Sequence, residues 1–152
     1  MERISWCLNK KKGIHIVEPN FEISREYLKR AKSDAEQISK QNNTWKTIIA
    51  YYACYNALYS VLTRYGIRSE IHSCTIELIK LFEKLRAYND FMTELKNKRN
   101  NTQYYLKSED INICKIMEFI AICEQELHRC NQKNIDKIIK LINNIKNEKI
   151  KL

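Results

Sequence analysis

The sequence predicts an all-α protein, a bundle of four to five helices, and three observations carry that prediction. Two glycines and one proline occur in 152 residues, far fewer than sheets and ligand-binding α/β loops need at their turns. Hydrophobic side chains make up 44% of the chain, which is enough for the core of one domain. Apolar residues also recur at steps of three and four, the spacing of one helix face.

The start of the chain divides into an arm and a first helix. Residues 1–20 contain a glycine, a proline and a run of lysines, which predict an N-terminal arm or a short irregular lead-in. A helix is predicted from Phe21 to about Lys40, with Asn20 or Ser24 as its cap. Its apolar stripe consists of Leu28, Ala31, Ala35 and Ile38.

The second predicted helix runs from Trp45 to Tyr65 and stops at Gly66, a residue that suits a left-handed C-terminal cap. It is apolar almost all round, so neighbouring helices and a second subunit are expected to cover it. Three tyrosines lie four residues apart on one face. This stripe is predicted to be core or interface, with base stacking as the alternative. Its members are Tyr51, Tyr55 and Tyr59.

Three further helices complete the predicted bundle, which covers residues 21–130. The third starts near Ser69–Ser73 and continues to Leu85, the fourth runs from about Phe91 towards Arg99, and the fifth begins after Ser108, which can cap it. Residues 131–152 are basic and amphipathic. They either extend the fifth helix or form a separate tail, and a packed terminal helix is favoured over a membrane-surface or partner helix.

The six cysteines form no CxxC pair, which argues against a structural zinc site. The segment Met1–Cys7 has no secretory signal, and no apolar run reaches the roughly 18 residues that cross a bilayer. We therefore expect a cytoplasmic protein without metal or cofactor, whose cysteines are buried thiols acting as small hydrophobic side chains.

The charge balance favours polyanionic partners. There are 27 Lys and Arg against 18 Asp and Glu, a net charge of +9, which attracts RNA, DNA or anionic lipid. The alternative is a lysine-rich solvated surface. The most informative stretch is Leu95–Lys107, which combines cations and aromatic rings without an acid and so predicts a contact with single-stranded RNA. Its candidate contact residues are Lys96, Lys98, Arg99, Tyr105 and Lys107.

Two local features qualify this prediction. On a regular helix Arg99 and Tyr104 lie about 140° apart, so they converge only if the helix loosens at Asn100–Thr102; the alternative is a frayed, solvated helix end. His72 lies at a turn into a helix beside Arg68 and Glu70. It is either a proton carrier near neutral pH or a hydrogen-bonded structural residue.

At these segments the chain resembles the HEPN superfamily (higher eukaryote and prokaryote nucleotide-binding domains), particularly its small stand-alone prokaryotic members. The resemblance spans about residues 22–128. It implies an up-and-down helical bundle, commonly a homodimer, and in many members a metal-independent endoribonuclease toxin paired with a nucleotidyltransferase antitoxin. The segments that carry it are AYYACYNALYSVL (50–62), GIRSEIHSCTI (66–76) and RNNTQYY (99–105).

The family motif is an Arg, a polar residue and then a His, and the two copies meet across the dimer in one cleft. The resemblance places this Arg on Arg99 and the polar residue on Asn100, while Tyr104 occupies the position of the His. A phenol with a pKa near about 10 is a poor general base, whereas imidazole is a good one. RNA binding is therefore a stronger expectation than cleavage, unless His72 reaches Arg99 and supplies the base.

Two functions remain open at this point. The first is an RNA-directed, toxin-type HEPN protein with a dimeric cleft around Arg99, Asn100, Tyr104 and His72. The second is a non-catalytic binding or adaptor module that holds a nucleotidyltransferase-like partner or nucleic acid. A structural helical dimer whose charge serves solubility is the plainest alternative.

Overall fold

A computed structural model of the chain describes residues 1–148 and shows a mostly helical protein, in agreement with the predicted class. Residues 149–152, the end of the predicted C-terminal segment, lie outside the described residues. Short 3-10 turns occupy Ile38–Lys40, Leu78–Leu81 and Arg86–Tyr88. The elements in chain order are α1 (Glu2–Leu8), β1 (Ile14–Ile16), α2 (Phe21–Gln37), α3 (Asn43–Arg64), β2 (Ile67–Ser69), α4 (His72–Glu77), α5 (Asn89–Tyr105), α6 (Ile113–Arg129) and α7 (Gln132–Glu148).

Helix α3 is the centre of the fold. It packs against α2, α5 and α6, and small side chains on it let these neighbours approach closely, since Ala50, Ala53 and Ala57 are all fully buried. The prediction that bundle neighbours cover this helix on several sides is therefore confirmed. Its partly exposed face carries Tyr52, Tyr55 and Tyr59.

Side-chain caps fix where the central helices begin. The Asn20 side chain accepts a hydrogen bond from the amide of Ile23 and starts α2, as predicted. Asn42 does the same for the amide of Trp45 and starts α3. Helix α3 ends before Gly66, which has a φ of +72°. A Cβ there would lie 2.4 Å from the carbonyl oxygen of Val17, so this position requires glycine.

The N-terminal segment is part of the folded body, and the expectation of an irregular arm over residues 1–20 is wrong. Ile4 and Cys7 on α1 are fully buried, and Ile14 is 2% exposed. Strand β1 pairs antiparallel with β2, so that Ile14 lies opposite Ser69. These strands were not predicted, because three residues are too few to show an alternating period.

Two helix boundaries differ from the predictions. Helix α4 ends at Glu77, and the chain to Tyr88 consists largely of 3-10 turns, so the third helix is much shorter than expected. Helix α6 begins at Ile113 with Asn112 as its cap, whose side chain accepts from the amide of Lys115, and Ser108 has no such role. At the start of α6, Asn112 lies further along the chain than Ser108 and supplies the cap.

The C-terminal segment forms a separate helix, α7, after a break at Cys130 and Asn131. Its four inward isoleucines are buried, so it packs on the core over its described length. This settles the open alternative in favour of a packed terminal helix, and its exposed face is basic. The buried residues are Ile135, Ile138, Ile142 and Ile145.

The cysteines only partly follow the prediction of buried thiols. Cys54 and Cys123 are buried and unpaired, whereas Cys114 is exposed. Cys7 and Cys74 form a disulfide that joins α1 to α4, which contradicts the expectation of six reduced thiols. Spacing could not reveal this pair, because their 67-residue separation is closed only by the tertiary fold. Within residues 1–148, no helix is both long and apolar enough to cross a bilayer.

Candidate anion-binding site

The guanidinium of Arg99 is fixed by three contacts, two of them with α3. Nη1 donates to the Tyr52 hydroxyl at 3.0 Å, and Nη2 donates to Oδ1 of Asn100 at 2.9 Å. The guanidinium carbon lies 4.7 Å from the centre of the Tyr51 ring, a cation–π contact. A group fixed in this way has lost its rotamer freedom before any ligand arrives, which favours binding.

Much of the binding capacity of Arg99 is unused. Nη1 and Nη2 each use one of their two hydrogens in these bonds, so each keeps one N–H for a ligand. Nε is buried, without a hydrogen-bond partner among the described residues, and a ligand does not reach it. Within residues 1–148, no carboxylate forms an ion pair with it. A partly buried guanidinium with free N–H groups and no counter-charge is a strong site for an oxyanion.

His72, the first residue of α4, belongs to the same cluster. Its Nδ1 lies 2.6 Å from the Tyr51 hydroxyl, and its ring stacks on Tyr55 with centres 4.4 Å apart and planes 17° apart. Tyr51 therefore contacts both Arg99 and His72. The structure thus brings together two predicted site residues that lie on different helices.

The hydrogen bond from Tyr51 determines what His72 can offer a ligand. Burial raises the pKa of Tyr51 far above its ordinary range, so the phenol keeps its proton. Tyr51 is fully buried, and among the described residues its hydroxyl has no other acceptor than Nδ1. The phenol therefore donates to Nδ1, and the proton of the neutral imidazole is on Nε2. In this state His72 presents an N–H donor to the site.

The surrounding charges are positive. Burial, and then Arg99 and Lys96, lower the pKa of His72 below 6.5, so the ring is neutral at pH 7. Burial, and then Arg3 and Arg99, lower the pKa of Lys96. Arg3, Lys96 and Arg99 thus raise the local positive potential from two helices, α1 and α5. We call Arg3, His72, Lys96 and Arg99 the cation cluster.

A groove of about 340 Å³ adjoins the cation cluster, and aromatic rings line most of it. His72 belongs to both, and Tyr52 joins them, since it lines the groove and accepts from Arg99. Groove hydroxyls are tied to the scaffold: Tyr55 donates to Thr75 at 3.2 Å, and Tyr59 donates to the carbonyl of Ser69 at 2.9 Å. The remaining groove residues are Tyr27, Asn56, Ser69, Glu70 and His72.

Several predicted site residues lie outside this cluster. Helix α5 stays helical through Tyr105, so the condition for Arg99 and Tyr104 to converge, a loosening at Asn100–Thr102, is not met. Tyr104 is 65% exposed and Tyr105 is 70% exposed. Lys107 is also exposed beyond the helix end.

Lys98 is likewise separate from Arg99. It donates to the carbonyl oxygen of Asp110 at 2.7 Å and lies 3.4 Å from the carboxylate of Glu94. The bond to Asp110 ties Lys98 to the loop before α6, and the Glu94 carboxylate neutralises the charge of Lys98. Of the cations predicted on α5, Lys96 and Arg99 therefore share one site and Lys98 belongs to another face.

Sequence reasoning missed three residues of the site. Tyr51 is core, as the tyrosine stripe predicted, but its hydroxyl also joins Arg99 to His72. Tyr52 lies in segment 50–62, which carries the family resemblance, but nothing in the sequence predicts its hydrogen bond to Arg99. Arg3 lies in the predicted arm, so nothing in the sequence connected it to the site.

No protein family, curated protein or solved structure matches this chain in our comparisons. The geometry of the site therefore carries the functional argument. Within residues 1–148, no group of three or more His, Cys, Asp or Glu side chains lies close enough to hold a metal ion.

Proposed function

We propose that this chain binds single-stranded RNA at the cation cluster, as a HEPN-like helical protein that pairs with a second copy. The observation that carries the proposal is the guanidinium of Arg99, which is fixed beside His72 and has no ion pair among residues 1–148. The order of its parts along the chain, a tyrosine-rich helix, a histidine turn and then an arginine, is the order that the HEPN resemblance implies.

The chemistry of the cation cluster suits a phosphodiester. The free N–H groups of Arg99 and the Nε2–H of neutral His72 are donors, and Lys96 adds a positive charge. RNA supplies both an anion for these donors and unpaired bases for the aromatic groove next to them. A free inorganic anion would use the first feature only.

A homodimer and a nucleotidyltransferase-like partner are further parts of the proposal, and they rest on the resemblance. Trp45, near the start of α3, supports the dimer, since its side chain is 53% exposed and offers an aromatic surface to a second copy. In the family that the chain resembles, the two copies of the motif meet in one cleft. The toxin role and the cytoplasmic location stay predictions.

Metal-independent RNA cleavage is the second candidate, and one observation favours it. The family motif has a His at the position that Tyr104 occupies here. His72 lies in the cation cluster, so α4 supplies an imidazole in its place. In such a reaction the ribose 2′-oxygen attacks phosphorus and loses its proton to a base. The 5′-oxygen leaves with a proton, and a 2′,3′-cyclic phosphate remains. The resting Nε2–H of His72 is a donor, however, which supports binding better than proton abstraction.

Titration of a fluorescein-labelled single-stranded RNA, followed by anisotropy at 50 and 200 mM salt, tests the binding proposal. The Arg99→Ala variant is expected to bind about 10- to 100-fold more weakly, because charge-assisted bonds are lost, and its salt slope should fall by about one. Arg86→Ala is the matched control. Arg86 is exposed in a groove with Tyr65, at the far end of α3, and its loss should leave affinity within about twofold.

Two outcomes would contradict the proposal: no binding by the wild-type protein, or equal losses in Arg99→Ala and Arg86→Ala. The cleavage candidate has its own readout, which is a 2′,3′-cyclic phosphate formed in EDTA by wild type but not by His72→Gln. Intact RNA after prolonged incubation with a protein that binds it would leave a binding module.

A further inference from the structure

The aromatic groove next to the cation cluster has two chemically different ends. One end meets Arg99 through Tyr52. The other end carries Glu70, whose charge acts on Tyr59, two turns and about 10 Å along α3 from Tyr52. Asn56 lies one turn from Tyr52, between the two ends. Within residues 1–148, neither the Glu70 nor the Asn56 side chain forms a hydrogen bond or an ion pair with another side chain, so both are available to a ligand.

A carboxylate at that end restricts what the groove can hold. Glu70 repels a phosphate and accepts hydrogen bonds only, since an ionised carboxylate has no donor. The ligand group there must be neutral and rich in donors. At the other end the ligand must be an anion. A nucleotide has both properties, with its phosphate and the hydrogen-bonding edge of its base at opposite ends.

The walls of the groove favour a flat ring. Tyr55 stacks on His72, and the ring centres of Tyr55 and Tyr59 lie 5.8 Å apart with their planes at 30°. The three rings therefore follow one another along the groove. Because Thr75 and Ser69 hold the hydroxyls of Tyr55 and Tyr59, the rings present their apolar surface. The volume of about 340 Å³ lies at the lower end of ligand pockets, roughly 300–1,000 Å³. It suits one nucleotide and not a duplex.

We propose that this groove takes a guanine base of single-stranded RNA, with Glu70 as the specificity-determining residue. The inference rests on the proposed function and deepens it. Guanine presents two adjacent donors, N1–H and the N2 amino group, which match the two oxygens of a carboxylate. Adenine and cytosine present one amino group beside an acceptor. Uracil presents one N–H between two acceptors, which the carboxylate repels.

Four uridine octamers that differ at one central position (G, A, C or U) test the base preference by anisotropy. Wild type is expected to bind the G octamer about tenfold more tightly than the U octamer, the discrimination typical of a bidentate pair. The Glu70→Gln variant should lose most of this ratio, because its amide keeps one acceptor and adds a donor. Its affinity for the U octamer should stay or rise. Glu36→Gln, an exposed glutamate on α2, is the matched control.

A G-to-U ratio near one in wild type would overturn the base assignment, as would a ratio that Glu70→Gln retains. Both leave the proposed function standing if Arg99→Ala still weakens binding. Failure of every octamer to bind would instead contradict the proposed function. Titration of GMP alone is a further test. If GMP binds with the same affinity as the G octamer, the occupant is a free nucleotide and the RNA assignment is overturned.

The second copy of the chain is the competing occupant of the groove. Light scattering of the Tyr52→Ala variant separates the two. Loss of G-octamer affinity with an unchanged molecular mass supports the base groove. A fall in mass from dimer to monomer without loss of RNA affinity overturns it, because the groove would then be an interface.

Discussion

Two parts of the molecule place a cation beside adjacent tyrosines and differ in structure. Arg99 lies against Tyr51 and Tyr52 of α3, and Lys107 closely follows Tyr104 and Tyr105 at the end of α5. Arg99 is fixed by Tyr52, Asn100 and the Tyr51 ring, whereas Tyr104 and Tyr105 are largely exposed. The same residue types form a site only where neighbouring elements remove their conformational freedom before a ligand binds.

The ending of α5 shows why the exposed part stays apart. Leu106 adopts a left-handed conformation with a φ of +53°, and the amide of Lys107 donates to the carbonyl of Asn101. This closes the helix at Tyr105. We expect the two parts to respond differently to every change that follows.

The largest expected effect concerns the disulfide that ties α1 to α4, the helix that carries His72. Replacing Cys7 and Cys74 by alanine should lower the free energy of unfolding by about 2–5 kcal/mol, because the unfolded chain regains the freedom of a long loop. Urea unfolding measures this, with the exposed Cys114→Ala as control. Two free thiols at these positions in the unreduced wild-type protein, found by mass spectrometry, would contradict the account.

The next effect concerns the hydroxyl that joins Arg99 to His72. Tyr51→Phe should destabilise the fold by about 1 kcal/mol, since Nδ1 of His72 loses its buried partner. Tyr104→Phe removes the same atom from the exposed end and should change nothing measurable. Urea midpoints of the two variants give the comparison. Equal midpoints would mean that the Tyr51–His72 bond contributes nothing to stability.

The smallest effect is a pH dependence from His72. Its pKa is lowered in the folded state from an ordinary value of 6.5, so the unfolded chain binds the proton first as the pH falls. The stabilisation is therefore complete above about pH 6.5 and is lost below it. Urea midpoints at pH 7.5 and 5.5 should differ more for wild type than for His72→Gln. A larger difference in the variant would reverse the sign and refute the assignment.

Much of the fold could be predicted from the sequence because helix signals are local. Asn20 and Gly66 mark helix limits through their own chemistry, and the isoleucines of α7 repeat on one face. The burial of α1 and its link to Cys74 could not be predicted, because they depend on contacts between distant parts of the chain. The two short strands could not be predicted because three residues are too few to show an alternating period.

The site was predictable in part. Arg99, Asn100 and His72 were named from residue type and resemblance, and the structure places all three in or beside the cation cluster. Tyr104 was named because the motif required a group at that position, and a continuous helix turns it elsewhere. Arg3 and the bridging hydroxyl of Tyr51 depend on tertiary contacts that no local pattern encodes.

Photo-crosslinking to single-stranded RNA that contains 4-thiouridine beside guanine tests the central claim most directly, because both parts of the molecule offer tyrosines to the probe. Mass spectrometry of the crosslinked peptides should place the RNA on the α3 peptide with Tyr52, Tyr55 and Tyr59, and Arg99→Ala should abolish that crosslink. Crosslinks confined to Tyr104 and Tyr105, unchanged in Arg99→Ala, would contradict the account.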